Sequence, residues 1–275
     1  MKFFVWLLLP VALLGVVQNA TADPPQRIAS LNLCTDSMLF ELVDDERIAS
    51  VTLLARDPNV SYFHARAARL HANQGAVEQI LATEPDLVIT DSNLAPLTTH
   101  LLRRLGVPLL EFDHANDFDT YAANLTRLAA AIGSTARAAV ILADMAQALA
   151  QTQYGALAHD APRAVIYQPN GYIPGTATLM HEILERAGLR DIAAELGLTH
   201  GGFVSLERLL VSAPAVLVFS ARQSTAPSLG EQLLHHPALQ TSERQHVAAH
   251  VEENLWTCAG RFNLAAIREL AVFAR

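Results

Sequence analysis

The sequence predicts an α/β protein of two lobes, each built on a mainly parallel sheet and joined by a single long helix. Three observations predict it. Short apolar runs alternate with helix-period segments along most of the chain. One helix–proline–strand unit occurs twice, as VEQILATEPDLVIT at 77–90 and LERLLVSAPAVLVFS at 206–220. Between the copies, a proline-free stretch rich in Ala, Leu, Met and Gln runs from Thr135 to about Ala158. In each unit a Glu (Glu78, Glu207) stands seven residues before a Pro (Pro85, Pro214), and an apolar run follows that Pro. Any α/β chain can repeat helix–Pro–strand, because Pro stops a helix and the strand behind it is buried. One copy on each side of a long helix is more than that grammar requires.

In order, 27–31 (RIASL) reads as the first strand and Asn32-Leu33-Cys34 as its exit. Thr35 or Asp36 then caps a helix through Met38, Leu39 and Leu42. A second strand follows at 47–51. The segment 54–73 has little period, carries Arg56, Asp57, Tyr62 and His64, and reads as a loop with a short helix. After the first unit come a helix at 96–105 stopped by Gly106, a strand at 107–112, and a helix capped by Asp117. Gly133-Ser134 breaks the pattern and opens the long helix. The rhythm restarts with a strand at 163–167, a loop at 168–176, a helix through Leu179 and Ile183, and a short strand near 190–193. The second unit, a polar loop at 221–229, one short strand within 239–251 and a closing helix from about Phe262 complete the chain. The expected division is therefore a first lobe at 23–133, a connecting helix at 134–158 and a second lobe at 159–275.

Residues 1–22 read as a signal peptide. Lys2 precedes an apolar run at 3–17, and Ala20-Thr21-Ala22 is a small-x-small cleavage pattern. The run is short of the roughly 20 residues of a membrane span. Export, to a bacterial periplasm, is expected. Without Lys2 the chain carries 18 basic residues against 27 acidic ones. That acidity argues against a nucleic-acid partner, whose phosphates require Lys and Arg. The two cysteines, Cys34 and Cys258, read first as a disulfide in an oxidising compartment, and otherwise as two thiols beside a ligand pocket.

The order of these elements resembles the helical-backbone class of periplasmic substrate-binding proteins, which serve ABC importers of cobalamin, ferric siderophores and heme. The resemblance rests on the export signal, RIASLN, the two units, the helix from Ser134, RAVIYQ and TLMHEILERAGLRDIA, and it covers essentially the whole mature chain. It implies a monomer without resident cofactor or catalytic role, delivering a metal chelate to a permease dimer. It further implies that Glu78 and Glu207, one per lobe, dock on basic residues of that permease. The bland alternative is that each Glu only complements a helix dipole, worth about 0.3–1 kcal/mol.

The ligand is expected between the lobes, outside the carboxyl ends of the strands. Candidates in the first lobe are Asn32, Leu33 and Cys34, then Arg56, Asp57 and Tyr62, then Asp91 and Ser92, with Asn93 beside them. In the second lobe they are Gln168 and Tyr172, then Arg222, then Trp256, Thr257 and Arg261. Arg is sparse among them, which disfavours a highly anionic ferric catecholate. Two other readings compete: an exported α/β hydrolase-like enzyme and a non-transport ligand sensor. The chain has no Gly-x-Ser-x-Gly elbow, P-loop or zincin His spacing, which counts against the first.

Overall fold

The computed structural model describes residues 23–92, 96–152, 160–221, 228–242 and 247–274. The expected signal segment at 1–22, together with Asn93 and Arg222, lies outside them.

The first lobe alternates β1 (Ile28–Ser30), α1 (Leu33–Leu42), β2 (Ile48–Thr52), α2 (His64–Ala67), β3 (Ala72–Asn73), α3 (Val77–Leu81), β4 (Leu87–Asp91), α4 (Pro96–Arg104), β5 (Leu109–Phe112) and α5 (Phe118–Ile132). Its strands pair in parallel in the order β3-β2-β1-β4-β5. β1 and β4 are buried along their whole length, as strands covered on both faces must be. The chain adds strands first on one side of β1 and then on the other. A crevice therefore opens where the β1 and β4 exits part. β3 lies inside the segment read from sequence as loop. It is held by the buried Asn73 amide, which donates to Ser30 O (2.9 Å), Ser50 Oγ (3.0 Å) and Val51 O (3.0 Å).

α6 (Thr135–Leu149) packs against α5 and leads towards the second lobe. It has 15 residues, about 22 Å, and ends at Leu149 rather than running to Ala158. Its stop is local. Gln151 and Thr152 donate to the carbonyls three residues back, and the Thr152 hydroxyl also donates to Leu149 O at 2.7 Å. These bonds satisfy carbonyls that a continuing helix would have used. Residues 153–159 are outside the described set.

The second lobe carries β6 (Arg163–Ile166), β7 (Tyr172–Ile173), α7 (Leu179–Arg186), β8 (Arg190–Asp191), β9 (Gly202–Phe203), α8 (Leu206–Ser212), β10 (Val216–Ala221), α9 (Leu229–Gln232), α10 (Pro237–Ser242), β11 (Val247–Glu252) and α11 (Asn263–Leu270). Four of its strands form a parallel sheet in the order β11-β10-β6-β8, and β7 and β9 pair as a separate antiparallel ribbon. One apolar core runs through both lobes. It contains Ile28, Leu39 and Ile89 from the first, and Ile166, Ile183 and Trp256 from the second.

The repeated unit holds down to the backbone. A residue with positive φ follows each helix, Glu84 (φ 47°) three residues after the end of α3 and Ala213 (φ 44°) directly after α8. A Pro follows in each case, then the buried strand β4 or β10.

Candidate functional site

The β1 exit supplies the first wall of the interlobe crevice. Asn32 is the N-cap of α1, and its Oδ1 accepts from Cys34 N (2.8 Å) and Thr35 N (3.2 Å), so its carbonyl end is committed to the cap. Cys34 is joined to Cys258, on the loop before α11, by a disulfide with Cα atoms 5.2 Å apart. The bridge crosses from lobe to lobe on the crevice floor.

Beside it, Asp91 at the end of β4 is buried and lies 3.3 Å from Nδ1 of His114 on the β5 exit. Ser92 donates to Asp113 Oδ1 at 3.3 Å. Asn32, Cys34, Asp91, Asp113, His114 and Asn124 converge on a cavity of about 20 Å³ that Ala259 of the second lobe closes. That is room for about one water. Its lining includes two carboxylates and an imidazole but no Lys or Arg. The nearby Arg127 is turned onto the Phe112 ring, 4.6 Å from its centroid.

The remaining expected ligand residues are placed otherwise. Leu33 is buried in the core. Arg56 donates to Leu70 O, and Asp57 Oδ1 accepts from Asn59 N and Nδ2, so both build their own loop. Tyr62 stacks on Phe262 of the second lobe, with centroids 5.0 Å apart and planes at 14°. It keeps about half its surface exposed. Gln168 reaches Met180 Sδ at 3.6 Å, and Tyr172 packs edge-on against Phe203 in the ribbon. Trp256 is 1% exposed and belongs to the shared core, so no face of its ring is free for a ligand. Thr257 donates to Glu253 O.

Arg261 donates to Glu41 Oε1 at 3.2 Å, while Tyr121 donates its hydroxyl to Glu41 Oε2. Burial and the neighbouring Glu41 push the Tyr121 phenol well above its ordinary pKa. The arrangement is an interlobe clamp: a buried carboxylate from α1 is held by a residue of each lobe. A second clamp lies at Glu182, which accepts from Phe118 N (2.9 Å) and Arg186 Nε (2.7 Å), with the Arg186 guanidinium over the Phe118 ring.

His114, Asp113 and Asn124 were not among the expected residues. The polar pair Asp113-His114 directly after the strand LLEF was the signal that could have found the first two. A larger cavity of about 770 Å³ lies at the opposite ends of the second-lobe strands. It is flanked by Thr152 and Asp160, the two ends of the undescribed interval 153–159, and is not a candidate site.

Glu78 and Glu207 are both exposed, each in the first turn of its helix. A hydrogen bond from its own backbone N–H, and another from the Ser205 hydroxyl, hold the Glu207 carboxyl below the usual range.

Residues 28–243 match the model of the periplasmic binding protein family. The chain belongs to that family. This binding protein is 25% identical, over 190 residues, to cobalamin-binding proteins from two strains of Halobacterium salinarum. The match covers 68% of this chain and 52% of theirs, so it spans about half the length of those relatives. Among solved structures it is similar to the periplasmic heme-binding protein HutB of Vibrio cholerae, with a TM-score of 0.75 and 14% identity over 90% of this chain and 98% of that one. The periplasmic heme-binding protein RhuT from Roseiflexus sp. RS-1 gives a TM-score of 0.71 and 23% identity over 90% and 97%. A possible iron-binding solute-binding protein from Staphylococcus epidermidis gives 0.73 and 15% over 91% and 99%. At these identities the likeness is one of fold, and it agrees with two lobes of mainly parallel sheet.

Proposed function

We propose that this chain is the exported substrate-binding subunit of an ABC importer, and that its cargo is a neutral or cationic metal chelate of the corrinoid type. The observation that carries the cargo class is the lining of the small cavity on the crevice floor. Asp91, Asp113 and His114 meet there with no Lys or Arg among them. A site of that charge repels heme propionates and ferric catecholates and tolerates a ligand whose periphery is amide-like. The cobalamin-binding relatives point the same way. The cavity on the floor is far too small for such a ligand. The chelate therefore lies across the rim, with His114 on one side of the disulfide and the exposed Tyr62 face on the other. Capture involves no bond chemistry. Glu78 and Glu207 then register the loaded protein on a basic two-fold permease surface.

Calorimetric titration of the purified mature protein with cyanocobalamin, hemin, a ferric hydroxamate and a ferric catecholate tests this. Cyanocobalamin is expected to bind most tightly, and the catecholate least. Tightest binding of the catecholate would overturn the cargo class. Binding of none of the four would overturn the transport reading.

A further inference from the structure

The Glu182 clamp grips the chain four residues beyond His114. Glu182, on α7 of the second lobe, is 6% exposed, and its Oε2 accepts from the Phe118 N–H at 2.9 Å. Phe118 is the first residue of α5 in the first lobe, and its N–H is one that a helix cannot satisfy from within. The same helix end is capped from its own lobe by Asp117, whose Oδ1 accepts from Thr120 N at 2.6 Å. One carboxylate from each lobe therefore holds the start of α5. Arg186 completes the grip. It donates to Glu182 Oε1 through Nε at 2.7 Å, with its guanidinium carbon 5.2 Å from the Phe118 ring centroid.

α7 is itself braced. His181 Nδ1 lies 2.8 Å from Asp191 Oδ2 on the edge strand β8, and Glu185 Oε1 accepts from Asp191 N at 3.2 Å. Glu182 thus projects from a post fixed to the second-lobe sheet. On the other side, the loop 113–117 joins β5 to α5 with five residues and no glycine. Its near end is tied to α5 as well, because the buried Asn124 donates from Nδ2 to Asp113 O at 2.8 Å. The ties of this loop to β4 and its exit are longer: Ser92 to Asp113 and Asp91 to His114, both 3.3 Å. The seating of α5 therefore sets where His114 stands, and Glu182 sets the seating of α5.

Electrostatics alone does not call for Glu182 at this place. Asp119 already stands in the first turn of α5 and Asp117 at its cap, so the dipole is complemented from within the lobe. A buried ion pair such as Glu182–Arg186 contributes little net stability over an apolar pair of the same volume, and its best-attested use is to fix one arrangement. We infer that Glu182 is a positioning residue for the ligand seat, fixing His114 on the first-lobe rim from the second lobe through the start of α5. This rests on the seat proposed above. A clamp with a purely structural role affects stability and leaves affinity unchanged.

The test is a double-mutant cycle on the purified mature protein, read by cyanocobalamin calorimetry. Glu182→Met/Arg186→Met removes the grip while keeping side-chain volume, and it is measured with and without His114→Ala. It is expected to weaken binding about tenfold in the parent and less than about twofold beside His114→Ala. Glu182→Gln, whose amide oxygen still accepts from Phe118 N, is expected to stay within about threefold of the parent. Unchanged affinity in the Met pair, or an equal loss with and without His114, overturns the positioning role. A second measurement does not depend on the cargo. In ligand-free protein the His114 imidazole signal, read by carbon–proton NMR, is expected to shift in Glu182→Gln and further in the Met pair. It is expected to hold its position in Arg261→Met, which breaks the other clamp. If cyanocobalamin does not bind the parent, the cargo reading falls and this signal decides: an imidazole unmoved by loss of the Glu182 grip overturns the inference.

Discussion

Cys34 opens the first helix of the first lobe, Cys258 lies on the last loop of the second, and the disulfide between them spans a sequence separation of 224 residues. It crosses the crevice where two-lobed binding proteins would hinge apart. The shared core and the Glu41 and Glu182 clamps hold the same interface. Disulfide, shared core and clamps thus all tie the two lobes together at the crevice.

Loss of the bridge is the first expected effect. Closing so long a loop removes about 5 kcal/mol of unfolded-chain entropy in the chain-entropy treatment, and native bridges typically yield 2–5 kcal/mol. Cys34→Ser/Cys258→Ser is expected to lower the urea midpoint accordingly, and reductant is expected to destabilise the parent but not the variant. Equal stability with and without reductant would show that the bridge does not form in solution.

Asp36 yields a pH dependence. It is fully buried in α1, where it accepts from Thr52 N (3.1 Å) and Thr52 Oγ1 (2.5 Å). Burial raises its pKa to about 7 against these hydrogen bonds, which lower it. Between the ordinary carboxylate range and pH 7 the folded protein holds a proton that the unfolded chain releases. Stability from this group is therefore greatest at low pH and falls as pH rises towards 7, by up to about 1.4 kcal/mol per unit. Asp36→Asn is expected to flatten the stability profile between pH 5 and pH 7 in urea titrations. An unchanged slope would count against the buried proton.

The paired positive-φ residues make a third case. Ala213 stands at φ 44° before Pro214, a conformation costly for any residue with a Cβ. Ala213→Gly is expected to raise stability by about 0.5–1 kcal/mol, read from the urea midpoint. A loss would mean that the Cβ makes a contact outweighing the strain.

Glu78 and Glu207 were legible because helix periodicity and a Pro fix a surface position without knowledge of neighbours. The sheet was legible because apolar runs and turns carry parallel order. Loop residues were not, since polarity does not say which way a side chain turns. Arg56 turns to Leu70 O, Tyr172 to Phe203, and Trp256 into the core beside the bridged Cys258. The long helix was overread because helix propensity continues past Leu149, whereas the Thr152 hydroxyl ends it through a local hydrogen bond that composition does not reveal.

Arg261 and His114 separate clamp from ligand contact. Arg261 holds the buried Glu41 carboxylate from across the interface, so its removal leaves a charge 4% exposed with only the Tyr121 hydroxyl. Arg261→Met is expected to destabilise by about 1–3 kcal/mol, the desolvation cost of an under-satisfied buried group. Its effect on cyanocobalamin affinity should be less than threefold. His114 is half-exposed on the crevice, with its Nδ1 3.3 Å from the Asp91 carboxylate. His114→Ala should leave the urea midpoint within about 0.5 kcal/mol, as surface substitutions do, yet weaken cyanocobalamin roughly tenfold. Paired calorimetry and urea unfolding on both variants check this. The reverse pattern, with affinity lost at Arg261 and stability lost at His114, would move the ligand seat to the Tyr62 side of the disulfide.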